Sequence, residues 1–274
     1  MNTRPEIHCD IETIPAQNPE IIASIREILS VDFKAPSDMT KERACAELGM
    51  TDPSEIKFTS KARALEMWVE RFRDEKLDET VEAEYRKTSF NGALGQIAVF
   101  GLAVDDREPQ MFYSPNWQDP DAESRVIAEA FEFIADTFRP ESMRSPIFIG
   151  HYISGFDLRF IFQRAVILGI KPPSFIPFHA RPWDDGIFDT MTQWAGHNGT
   201  IKLDALCRAL GVPGKTEGMD GSLVWDYVRS GRIAEVAAYC ADDIDASRNC
   251  YKRMTFQPLP VPTCEQIPEG EFAF

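Results

Sequence analysis

Four carboxylates that lie far apart in the chain set the tightest limit on its fold. Asp10 and Glu12 sit in Cys-Asp-Ile-Glu-Thr near the N-terminus, and Asp157 sits mid-chain in Gly-His-Tyr-Ile-Ser-Gly-Phe-Asp. Asp243 sits towards the end in Tyr-Cys-Ala-Asp-Asp. Carboxylates are hard oxygen ligands, and several converging on one point make a site for Mg²⁺ or Mn²⁺. A fold that uses all four must gather the end of a first strand, a mid-chain turn and a late helix at one cleft. Glu6–Asp10 reads as that first strand. Residues i and i+2 of a strand point to the same side, so Asp10 and Glu12 can reach one cluster.

The other acidic pairs with this spacing fit less well. Asp106/Glu108 and Asp121/Glu123 lie in polar turns and read as solvated surface. Tyr239 and Asp243 form a Tyr-x-x-x-Asp that occurs once in the chain. On a helix they are i, i+4 neighbours. Ile233, Val236, Ala237, Cys240 and Ile244 form the adjoining apolar stripe, which places the pair at the edge of the core. Asp242 is out of register with Tyr239. A helix N-cap is the structural alternative for Asp157, and an N-cap carboxylate can also serve as a ligand.

The remaining pattern alternates strands and helices. Strands are expected at Gln96–Val104, Gln110–Tyr113, Pro146–Gly150 and Ile187–Asp189. Helices are expected at Ala122–Phe138, Leu158–Leu168, Leu203–Leu210 and Arg232–Met254. Gly169 and Gly211 mark two of the helix ends. Such interleaving implies an α/β sandwich. Residues 15–90 differ. Pro19–Leu29, Lys41–Leu48 and Ser60–Lys87 read as helices, the last with Leu65, Trp68, Val69 and Phe72 at helical spacing. This is a helical insertion into a single domain of residues 1–256. Residues 257–274 are a Pro-rich tail.

Bulk properties exclude several classes. Hydrophobic residues make up 43% and charged residues 27%, ordinary for a globular protein with a sizeable core. The net charge of −15 argues against a protein that coats nucleic acid, since nonspecific affinity comes from Lys and Arg neutralising phosphates. Bound divalent cations can supply that positive charge locally. None of the six cysteines forms Cys-x-x-Cys, and Cys9, Cys207 and Cys240 read as small core residues. The N-terminus lacks an apolar signal core. The apolar run Ile97–Val104 is far shorter than the roughly 18 residues a membrane helix needs. A cytoplasmic location without membrane association is expected.

The order Asp-x-Glu, Phe-Asp, Tyr-x-x-x-Asp resembles the DEDD, or DnaQ-like, 3′–5′ exonucleases, in the subgroup with a tyrosine in its last motif. The segment Ile201–Met254 adds Leu-Gly-Val-Pro-Gly-Lys, Asp-Gly-Ser-Leu-Val-Trp and Tyr-Cys-Ala-Asp-Asp-Ile-Asp-Ala. It resembles the final third of exonucleases related to the proofreading domain of family B DNA polymerases. The likeness covers most of the chain outside residues 15–90 and the tail. It departs at Tyr152, where the family's second motif has Asn.

The resemblance implies a ribonuclease H-like fold with a central mixed sheet flanked by helices. It implies two ions, Mg²⁺ or Mn²⁺, with Asp10 bridging them. Glu12 and Asp243 would hold the ion that carries the attacking water, and Asp157 would help hold the other. Tyr239 would orient or deprotonate that water. Thr13, His151, Phe156 and Lys215 are the candidate substrate contacts. His151 is alternatively a structural hydrogen-bonding residue, and Lys215 a solvated loop lysine.

The expected activity is hydrolysis of nucleic acid from 3′ ends, releasing nucleoside 5′-monophosphates, with single-stranded DNA favoured. RNA is the close rival, because nothing in the sequence reads the 2′-hydroxyl. A catalytically silent fold that binds nucleic acid or a polymerase is the alternative from another class. With no polymerase domain in the sequence, proofreading would act in trans, and repair, turnover or phage-style nucleotide scavenging are the other roles. The insertion carries Lys57, Lys61, Arg63, Arg71, Arg73, Lys76, Arg86 and Lys87 among as many acids, which favours a solvated cap or a dimer contact over a strand clamp.

Overall fold

The computed structural model describes residues 4–138, 144–196, 198–214 and 219–259. In chain order the strands are β1 (Glu6–Ile14), β2 (Gln96–Val104), β3 (Gln110–Tyr113), β4 (Ile147–Gly150) and β5 (Ile187–Asp189). Four helices fall between β1 and β2: α1 (Pro19–Val31), α2 (Lys41–Glu47), α3 (Pro53–Phe58) and α4 (Lys61–Lys87). After β3 come α5 (Ala122–Thr137), α6 (Asp157–Leu168), α7 (Thr190–Ala195) and α8 (Leu203–Leu210). They are followed by α9 (Val224–Arg229) and α10 (Ile233–Met254). Two compact units result. Residues 13–96 form a helical unit, and residues 1–12 with 97–274 form a sheet unit. Among the described residues no helix is long and apolar enough to cross a membrane.

The sheet has the order β3-β2-β1-β4-β5. β2 and β3 pair antiparallel, with Phe100 opposite Phe112, while β4 runs parallel to β1 and to β5. This is the α/β arrangement expected, a five-stranded mixed sheet flanked by helices. Parallel neighbours are usually buried on both faces. Ile7, Cys9, Phe148 and Ile187 accordingly belong to one core, with Phe100, Ile127, Phe131 and Ile161 from β2, α5 and α6. Phe100 meets Phe131 edge-on, with centroids 6.3 Å apart. Each such buried aromatic contributes on the order of 1.5–3 kcal/mol.

Glycine decides how closely α10 approaches. α10 packs against both β3 and β4, so it crosses one face of the sheet. A Cβ on Gly101 of β2 would come within 2.6 Å of Ile244 Cδ1 and 2.9 Å of Cys240 Sγ. Only a residue without a side chain lets the helix carrying Tyr239 and Asp243 settle at this depth.

A second set of contacts holds α10 at its C-terminal half. Arg248 donates to the carbonyls of Asp105 and Arg107 at 3.1 and 2.7 Å, and Lys252 pairs with Asp106 at 2.6 Å. Burial, with Arg248 and Lys252 nearby, lowers His8 to about 3, so its enclosed imidazole is neutral.

The reading of Glu123 as solvated surface needs correcting. It lies buried in the first turn of α5, and its two oxygens take Arg164 of α6 at 2.8 and 2.7 Å. Its Oε1 also accepts the N–H of Ile97 at 2.8 Å. A buried cation and a backbone donor together satisfy a carboxylate that would otherwise stay in water.

The helical unit has its own core, in which Trp68 lies parallel to Phe33 at 6.3 Å, with Leu65, Val69 and Phe72 alongside. Ser60 caps α4 by accepting from the N–H of Arg63 at 3.2 Å. Arg63, Arg71, Arg86 and Lys87 pair with Glu66, Glu75, Glu82 and Glu84 on the same helix. Those cations are engaged locally, in surface pairs that contribute little stability each.

Candidate active site

β1 and α10 supply the centre of the site. Carboxylate oxygens of Asp10, Glu12 and Asp243 all lie within 4.8 Å of one another. Glu12 and Asp243 are buried, each 8% exposed, and Asp10 is half-buried. β1 brings Asp10 and Glu12 to the same side by its pleat. α10 presents Tyr239 and Asp243 one turn apart, both buried.

Asp157 is the first residue of α6, and Phe156 occupies the cap position. Its carboxylate therefore does not cap its own helix. Oδ1 accepts the N–H of Ile11 at 3.1 Å, between Asp10 and Glu12 in β1. This bond ties the mid-chain motif to the N-terminal one. Asp157 stands beside the group of three rather than within it.

Crowded carboxylates resist ionisation. Burial is the largest cause that pushes Asp10 well up, and repulsion from Asp157, Asp243 and Glu12 adds to it. Asp10 keeps some exposed surface, yet enough protein surrounds it for loss of water to dominate. Burial also raises Asp157, to about 7. The thiol of Cys240 donates to Asp10 Oδ2 at 3.2 Å and opposes the rise at Asp10. Burial and the neighbouring carboxylates push Cys240 itself up, so it stays a neutral S–H donor.

Three convergent carboxylates in a largely buried place are unfavourable as a bare cluster of charge. They match the hard oxygen donors that Mg²⁺ and Mn²⁺ take, so the residues present fit divalent ions.

The other candidate residues have varied surroundings. His151 Nε2 lies 2.9 Å from the carbonyl of Ile201, which can only accept, so that nitrogen bears a proton. Its Nδ1 lies 2.9 Å from Thr190 Oγ1. Both ring nitrogens are thus engaged within the fold. Phe156 is half-buried against the core and tilted on Phe160 at 5.5 Å. Thr13 donates to the carbonyl of Ser89 at 2.8 Å, within the helical unit. Lys215 lies outside the described residues, as do positions 260–274 of the tail.

Two residues were not marked as site candidates in the sequence. Cys240 was read only as core, yet it touches Asp10. Asp189 ends β5 fully buried and accepts from the N–H groups of Tyr152, Ser154 and Thr192. The signal for Asp189 was an acid closing a short apolar strand, the same signal that singled out Asp10.

Comparison with known proteins bears on these motifs. No curated protein matches the chain. Among solved structures, the family B DNA polymerase from the hyperthermophilic archaeon Pyrobaculum calidifontis is similar at 16% identity and a TM-score of 0.46. The match covers 61% of this chain and 22% of the polymerase, so the chain spans under a quarter of that relative. A family model matches residues 118–257, just over half of the chain and including Asp157, Tyr239 and Asp243. The chain belongs to the family described as predicted 3′–5′ exonucleases related to the exonuclease domain of PolB.

Proposed function

We propose that the sheet unit is a two-metal 3′–5′ exonuclease that shortens single strands and releases nucleoside 5′-monophosphates. The observation that carries this reading is the approach of the Asp10, Glu12 and Asp243 carboxylate oxygens to within 4.8 Å of one another. DNA is the favoured substrate, since the family is described by its relation to the exonuclease domain of a DNA polymerase. RNA is the alternative.

As the family resemblance implies, Asp10 would be shared by the ions, Glu12 and Asp243 would help to hold one, and Asp157 would help to hold the other. The ions, Mg²⁺ or Mn²⁺, supply Lewis acidity that lowers the pKa of water and neutralises charge on the leaving oxygen. Tyr239, buried one turn before Asp243, orients the attacking water through its hydroxyl. Asp157 fixes the turn at the start of α6 against β1 through Ile11. Cys240 holds Asp10 Oδ2 in place by its S–H. Residues 15–90 are an insertion into this exonuclease domain, and a polymerase or a repair protein is the partner this activity would serve.

The test is degradation of 5′-labelled and 3′-labelled DNA and RNA strands with Mg²⁺ or Mn²⁺, beside Asp10→Ala. A ladder that recedes from the 3′ end and is lost in the variant supports the reading, and the DNA-to-RNA rate ratio selects the substrate. Folded protein that leaves every strand intact with both metals refutes it.

A further inference from the structure

Tyr152 combines strained backbone with an open aromatic ring. Its φ of +64° lies in the left-handed region, which a bulky side chain rarely occupies. Such strain persists only where the surroundings over-determine it. Here a fully buried carboxylate does so. Asp189 Oδ1 accepts the N–H of Tyr152 at 3.2 Å, and Oδ2 accepts the N–H and hydroxyl of Ser154 at 3.1 and 2.5 Å. The carbonyl of Tyr152 in turn accepts from the N–H groups of Gly155 and Phe156, both at 3.0 Å.

The ring lies over Gly155. A Cβ at that position would fall 2.1 Å from Cε2 and 2.4 Å from Cζ. One side of the ring thus rests on the turn, while the residue remains 46% exposed. The same turn runs on through Phe156 to Asp157, which is bonded to Ile11 between Asp10 and Glu12. An exposed aromatic ring therefore sits on the turn that leads into Asp157, a candidate metal ligand.

We propose that Tyr152 stacks on a nucleobase of a single strand entering the carboxylate centre, with Asp189 as the positioning residue that presents the ring. The inference rests on the exonuclease reading and deepens it by naming the residue that receives the unpaired strand. A chain of net charge −15 is disfavoured from binding a strand by phosphate neutralisation alone. Stacking supplies affinity that needs no cation and tolerates any base. A paired terminal base is already stacked on its neighbours, so the ring selects unpaired ends. Asp189 touches no substrate in this account. It sets the backbone from which the ring projects.

The test uses single strands with 2-aminopurine near the 3′ end, bound in Ca²⁺ to the wild type, Tyr152→Phe, Tyr152→Leu and Asp189→Asn. Steady-state kinetics in Mg²⁺ run in parallel. Stacking quenches 2-aminopurine in the wild type and in Tyr152→Phe. Tyr152→Leu loses the quench and raises KM about 5- to 100-fold, the range expected for one stacked base, while kcat stays near the wild-type value. Asp189→Asn shows the same KM shift, and combining it with Tyr152→Leu adds nothing further.

Wild-type quench and KM retained in Tyr152→Leu overturn the stacking inference while leaving the exonuclease intact. A wild type that degrades no strand removes the exonuclease reading and this inference together. A normal KM in folded Asp189→Asn overturns the positioning role.

Discussion

Asp157 Oδ1 accepts a hydrogen bond from the backbone N–H of Ile11 at 3.1 Å, across 146 residues of sequence. This bond joins the start of α6 to the segment of β1 that carries Asp10 and Glu12. The mid-chain motif and the N-terminal motif are held in register by it, before any ion is considered.

The ionisation of Asp157 follows from that setting. Burial raises it to about 7; the N–H bonds oppose the rise, and Asp189 and Asp243 add to it. The folded protein therefore binds this proton more tightly than the unfolded chain, where the carboxyl titrates near about 3.9. Stability contributed by the protonated form is lost as pH rises from about 4 through about 7. Metal-free Asp157→Asn, which mimics the protonated form, should gain stability relative to the wild type on going from pH 5 to pH 8. Urea midpoints of both proteins at the two pH values check this. An unchanged difference contradicts the raised value.

Asp243→Asn should separate metal binding from folding. Removing one proposed ligand should lower Mn²⁺ affinity by more than about 100-fold, beyond the loss seen when only an outer partner is removed. It also removes repulsion from Asp10, which Asp243 helps to push up. The metal-free variant should be at least as stable as the wild type. Calorimetric Mn²⁺ titration and thermal melting in chelator measure the two effects.

Glu123→Gln should cost about 3–5 kcal/mol of stability, because it leaves the buried Arg164 guanidinium without its countercharge. Urea denaturation of the metal-free protein reads the loss. A change comparable to that of a surface ion pair would mean that water reaches Arg164 in the variant.

Gly101→Val should cost about 1–3 kcal/mol by overpacking against Ile244 and Cys240. Because α10 carries Asp243, the same variant should bind Mn²⁺ more weakly than the wild type. Denaturation and Mn²⁺ titration on one preparation test both halves.

Much of the centre was legible because its residues follow local rules. Asp10 and Glu12 follow the pleat of a strand, and Tyr239 and Asp243 follow one turn of a helix whose apolar stripe is complete. Strand and helix periodicity also located β2, α5 and α10 within a residue or so. β1 runs on to Ile14, beyond the expected Asp10, because the polar residues Glu12 and Thr13 hide its continuation. α3, α7 and α9, each six residues long, are too short to show a helical period. Glu123 escaped because its partner Arg164 is 41 residues away, and burial of a charge depends on that partner alone. Asp189 escaped because three of its donors are backbone N–H groups, which leave no trace in side-chain pattern.

Release of the first product tests the central claim most directly. A single strand labelled on its 3′-terminal nucleotide is incubated with Mn²⁺ and either the wild type or Asp243→Asn, and the released label is identified by chromatography. The account predicts a nucleoside 5′-monophosphate as the first labelled product of the wild type, and none from the variant. Label released in an oligonucleotide or as a 3′-phosphate, or strands left intact by folded wild type, would contradict it.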